Sequence, residues 1–182
     1  MITKEELHFR RIDMRGYRRS DGLYEVEGRV TDRKPYDFSP GGGGRPVPAN
    51  QPIHEMGVRL VFDEEMVVHD VHTFSDAYPY ADCPGGGATL KSLKGLRLSS
   101  GWAKEVRSRL ARANTCTHLM ELLMPLATAA IQSLSIVRKD RPEPLDAVKR
   151  PRKIDSCYAY ATQRDLVRIH WPEFYRPAPR ED

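Results

Sequence analysis

Apolar and polar residues alternate with a period of two along the first part of the chain and with a helical period after residue 100. Residues 8–19 alternate loosely, and Ser20-Asp21-Gly22 follows them as a hairpin signal. The next run, 23–30, puts Tyr24, Val26, Gly28 and Val30 on one face and Leu23, Glu25, Glu27 and Arg29 on the other, the pattern of a half-exposed antiparallel strand. In a third strand His54, Met56, Val58, Leu60 and Phe62 share one face. After the acidic turn Asp63-Glu64-Glu65, residues 66–74 read as its partner, with Val67, His69, Val71 and Thr73 opposite Val68, Asp70, His72 and Phe74.

Periodicity is lost over 33–52, where Pro35, Pro40, glycines 41–44, Pro46, Pro48 and Pro52 predict a long flexible loop, an insert or a lid. A second Pro/Gly-rich stretch, from Tyr78 to Gly87, leads out of the sheet and places Cys83 in a loop. Trp102, Val106 and Leu110 predict a short helix over 101–113. Leu119, Leu122, Leu123, Leu126, Ala130 and Leu134 predict a longer one over 117–136. Pro125 falls inside it and predicts a kink or a restart, since an interior proline costs about 3 kcal/mol.

Residues 138–153 are charged and proline-broken, as in a linker. Residues 154–182 read as two short strands, or a strand and a helix, packing back on the domain and ending in a frayed tail. The expected fold is therefore α+β: an antiparallel sheet of four or more strands with helices on one face, within a single domain over 1–137.

The chain has 182 residues, 40% of them hydrophobic and 30% charged, enough to bury a core. No run approaches the roughly 18 apolar residues of a membrane span, and the N-terminus has no apolar signal region. The three cysteines form no regular framework, which points to a reducing compartment, the cytoplasm. The net charge of +4 is unevenly spread. Arg10, Arg11, Arg15, Arg18 and Arg19 crowd the first strand, and Lys149, Arg150, Arg152 and Lys153 form a second cluster. Neither cluster has the interleaved aromatics of a nucleic-acid surface. The N-terminal one reads as solvated charge guarding an edge strand, or as a docking site for an anionic small molecule or a protein. The oligomeric state stays open.

Candidate chemistry gathers at Cys116-Thr117-His118, where the long helix begins. Free backbone N–H groups and the positive end of the dipole favour a thiolate there, as metal ligand or nucleophile. His54 opens a strand on its core-facing side, and Cys83 lies on the loop leaving the adjacent strand. If the helix covers the sheet near the strand ends, His54, Cys83, Cys116 and His118 meet as a mixed sulfur/imidazole metal site for zinc or iron. A second reading is an enzyme of small-molecule metabolism, with Cys116 as nucleophile and His118, His54 or His72 as base. A third is a non-catalytic module for an anionic ligand or a protein. Each residue also has a plain role: Cys116 as a small core side chain, His118 as a cap, Cys83 as an inert loop thiol, Cys157 as core. Glu121, one turn along the helix, is either a supporting carboxylate or solvated.

Asp21-Gly-Leu-Tyr-Glu-Val-Glu-Gly, Pro52-Ile-His-Glu-Met, Pro79-Tyr-x-x-Cys83, Leu93-x-Gly95, Gly101-Trp102 and Cys116-Thr-His-Leu occur in that order. In this the chain resembles the bacterial "domain of unknown function 2889" family over nearly its whole length. Residues 54–135 also resemble, more loosely, the iron–sulfur cluster scaffold fold of the NifU/IscU type. There a ligand opens one strand, a cysteine follows the next, and a His/Cys pair opens the last long helix. That resemblance assigns these roles to His54, Cys83, and Cys116 with His118, and implies a scaffold-like topology. The chain differs in having His54 where the family has cysteine, Met56 where it has an acid, and a Cys-x-His spacing in the final pair. These differences keep the fold and a metal-type site but argue against cluster assembly.

Overall fold

The computed structural model describes residues 1–110 and 112–178. Two compact units divide at residue 137. The first is built on four strands, β1 (Phe9–Arg18), β2 (Tyr24–Arg33), β3 (Pro52–Phe62) and β4 (Val68–Ala77), joined in the order β1-β2-β3-β4 with every pair antiparallel. Two helices follow, α1 (Trp102–Arg109) and α2 (Thr117–Ser135). The class is α+β, and α2 lies across β1, β2 and β3 on one face of the sheet.

Alternation sets the buried face. Tyr24, Val26 and Val30 of β2 and Met56, Val58, Leu60 and Phe62 of β3 are buried under α2, whose Leu119, Leu122, Leu123, Leu126, Ala130 and Leu134 complete the core. Trp102 of α1 joins it and donates its indole N–H to the carbonyl of Leu123, 2.9 Å away. Between β1 and β2, Gly22 takes φ +86° and the Asp21 carboxylate accepts from the Leu23 N–H, closing the hairpin. Close packing of α2 on β1 depends on Gly16, because a Cβ there would lie 1.7 Å from Ser133 Oγ.

The expected alternation of β4 and the expected restart at Pro125 are corrected. Strict alternation fails in β4, because Phe62 pairs with Val68 and Val61 with Asp70, leaving His69 as an extra residue. That bulge puts Val68 and Val71, three apart, both into the core, and leaves His69 and His72 exposed. In α2, Pro125 produces no restart; the helix is continuous from Thr117 to Ser135. The missing N–H is tolerated because the apolar face on either side is fully packed.

The loop between β2 and β3 is fastened at several points. Phe38 and Val47 exchange backbone hydrogen bonds, Val47 is buried, the Arg45 N–H donates to the Pro79 carbonyl, and the Tyr80 hydroxyl donates to the Gly41 carbonyl. Cys83 begins a run of 3₁₀ turns, Cys83–Leu93.

The second unit, described over 138–178, contains the short helix α3 (Asp165–His170) and 3₁₀ turns, with no strand among its described residues. Asp155, at φ +64°, accepts from the N–H and the hydroxyl of Thr162, which closes a loop around Tyr158–Tyr160 where a strand was expected. Cys157 lies on that loop and is exposed, contrary to its reading as core. Among this unit's described residues the buried apolar side chains are Pro151, Ile154 and Val167. No helix among the described residues is long and apolar enough to cross a membrane.

Candidate metal centre

Sheet register builds one side of the site. Arg10 of β1 is paired with Asp32 of β2, and Asp32 with His54 of β3, so the three lie in one row across adjacent strands. Asp32 follows Tyr24, Val26, Gly28 and Val30 on the alternation that faces the helix, and its side chain is 2% exposed. Arg10 grips it with two hydrogen bonds, Nε to Oδ1 at 2.8 Å and Nη2 to Oδ2 at 2.9 Å. His8 Nε2 lies 3.2 Å from Oδ1. The other side of the Arg10 guanidinium reaches Glu121 on α2, Nη1 to Oε2 at 2.7 Å.

The start of α2 supplies the rest. Cys116 is its N-cap, fixed by its own N–H donating to the Gly86 carbonyl, while the Thr115 hydroxyl donates to the same oxygen. A Cβ on Gly86 would collide with the Cys116 backbone at 2.8 Å, so this contact needs glycine. His118 then stacks on His54 with ring centroids 3.8 Å apart. His54 Nδ1 stands 3.2 Å from Asp32 Oδ2, His118 Nε2 stands 3.6 Å from the same oxygen, and one donor atom of each of the three lies within 4.8 Å of the others. Cys116 Sγ is 3.9 Å from the other ring nitrogen of His118, Nδ1.

Electrostatics fixes the protons. Burial opposes ionisation of Asp32, but its hydrogen bonds and charge pairing with Arg10, and the two histidines, hold its carboxyl below the usual range. Burial, reinforced by neighbouring His118, pushes His54 down to about 4 against the pull of Asp32. Burial likewise lowers His118. At neutral pH the carboxylate is thus a pure acceptor and each imidazole is neutral with one N–H. Donation of the His54 Nδ1–H to Oδ2 leaves His54 Nε2 as the nitrogen with the free lone pair, whereas His118 Nε2, at 3.6 Å, lies beyond hydrogen-bond distance of that oxygen.

A cleft of 500 Å³ opens beside these groups, and its walls include His54, Cys83, Cys116 and His118. Asp32 is not on its wall. His72, the alternative base, is exposed on β4 and paired with Asp70 at 3.1 Å. The family model described as "Protein of unknown function (DUF2889)" matches residues 8–132. The chain belongs to the DUF2889 family. That match runs from His8 into α2, so the Asp32 row, Cys83, Cys116 and His118 all fall within the DUF2889 part of the chain. No curated protein and no solved structure matches it.

Proposed function

We propose that this cleft is a transition-metal centre, for zinc or iron, with His54 and His118 as imidazole ligands and Cys116 and Cys83 as sulfur ligands. The carrying observation is the buried Asp32 carboxylate 3.2 Å from His54 and 3.6 Å from His118. Metal-bound histidines commonly donate their second N–H to a carboxylate, which fixes the tautomer and aims the free lone pair. Burial that lowers both imidazoles supports the same reading, because a ligating imidazole must be neutral. Direct coordination by Asp32 is the competing arrangement. Its separations from the histidine nitrogens match the edges of about 3–3.5 Å expected around a metal at roughly 2.1 Å. Arg10 already occupies both of its oxygens, which favours the supporting role. The loose scaffold-type resemblance of residues 54–135 favours a metal as well. A bound metal would act as a Lewis acid or lower the pKa of a bound water.

Metal analysis of the purified protein tests this. One equivalent is expected in the wild type, with none in His54→Ala, His118→Ala or Cys116→Ser. Asp32→Asn should keep the site but weaken it about 10–100-fold. Total loss in Asp32→Asn with full retention in Cys116→Ser would show direct carboxylate coordination. A wild type that neither carries nor takes up zinc or iron would end the proposal.

A nucleophile reading is favoured by one specific contact, Cys116 Sγ to His118 Nδ1 at 3.9 Å with Asp32 behind the same ring. In metal-free protein it requires iodoacetamide to label Cys116 much faster than the exposed Cys157.

A further inference from the structure

A second cleft, of 640 Å³, adjoins the first, and Pro79 and Tyr80 belong to the walls of both. It forms where the 34–51 loop is fastened to residues 76–81. Its lining is more apolar than polar, with Pro48, Pro52, Tyr78, Pro79 and Tyr80 beside the polar Gln51 and Asp76. Arg45 supplies the positive charge. Its Nε donates to the Tyr78 carbonyl at 3.3 Å and its Nη2 to the Pro52 carbonyl at 3.1 Å, while its own backbone N–H holds Pro79. These partners are neutral, so they orient the guanidinium without cancelling its charge. Among the described residues no carboxylate is paired with it. Two of its five N–H donors are used, which leaves three, both of those on Nη1 among them, for an acceptor. The acid in the same cleft, Asp76, is spoken for by Arg29 at 2.8 Å.

From this we infer that the second cleft is a binding site for a small aromatic carboxylate, its acid group on Arg45 and its ring among the prolines and tyrosines. A mostly apolar concave lining with a few placed polar groups is the usual make-up of a small-molecule site. A guanidinium held by carbonyls suits a planar carboxylate better than a mobile lysine would. The shared Pro79-Tyr80 wall lets the far end of such a ligand reach toward His54 and Cys116. The site stands without any metal, so it goes beyond the reading above.

Two-dimensional ¹H–¹⁵N NMR of the whole chain, with EDTA present, tests it using benzoate, its neutral analogue benzamide, and inorganic phosphate. Benzoate should give saturable shifts at the amides of Gly43, Arg45 and Tyr80. Benzamide should bind about tenfold more weakly, the difference between a charged and a neutral hydrogen bond. Arg45→Gln should remove the preference for benzoate, and His54→Ala should leave it intact. Equal binding of benzoate and benzamide to the wild type, or no shifts at those amides, would overturn the inference. So would phosphate binding as tightly as benzoate, since the site would then recognise charge without the ring. Because the wild-type comparison needs no variant, a misfolded Arg45→Gln does not protect the idea.

Discussion

His54 and His118 are stacked and neutral, and acid is what they resist. In the unfolded chain a histidine titrates near 6.5, whereas folded His54 titrates at about 4. Between those values the unfolded chain binds more protons, so stability falls as the pH drops from about 6.5 toward 4 and levels off below. His54 alone contributes on the order of 3 kcal/mol to that fall, and lowered His118 acts in the same direction. Urea unfolding of metal-free protein at pH 7, 6, 5 and 4 should show the decline, and His54→Gln should flatten much of it. Identical slopes in the two proteins would contradict this account. His54, Cys83, Cys116 and His118 are visible in the sequence because soft side chains stand out at a strand start, a loop and a helix start. Asp32 is missed, although it continues the run Tyr24, Val26, Gly28, Val30 on the core side of β2. A carboxylate at a core position is itself a signal, since burying a charge is costly without a partner. Its partner Arg10 sits among other arginines and looks like ordinary surface charge.

At the level of elements, two-residue alternation locates the first three strands, and helical spacing locates α1 and α2. The bulge at His69 escapes that reading because it is decided by pairing with β3, not by β4's own residues. Gly16 escapes it too: its reason is a helix more than a hundred residues later. Gly16→Ala should push α2 off β1 and cost roughly 1–3 kcal/mol. Ser133→Ala removes the Oγ that the new methyl would strike, leaving the milder 2.8 Å approach to Cβ. The double variant should therefore be more stable than the sum of the singles by about 1 kcal/mol in denaturant titrations. Strict additivity would mean that α2 does not press on β1 at that point.

For the molecule as a whole, the buried apolar residues divide very unevenly between the two units, with only Pro151, Ile154 and Val167 among the described residues of the second. Residues 1–137 made alone should unfold in one cooperative transition, and residues 138–182 alone should show none by circular dichroism, since so short a chain with so little core is below the usual limit for folding unaided. A non-cooperative 1–137 piece would refute the division. The row Arg10–Asp32–His54 also has a temporal meaning. Its members come from three strands and are separated by 22 positions at each step, so none of them meets another through local structure. Only closure of the sheet in the right register brings them together, and such distant pairings form slowly. A strand slipped by one residue would turn Asp32 to solvent and strip both imidazoles of the carboxylate beside them. If the cleft takes the metal proposed for it, loading is a late event in the life of each new chain, and a copy that has closed out of register would stay empty and without the added stability that a ligand confers.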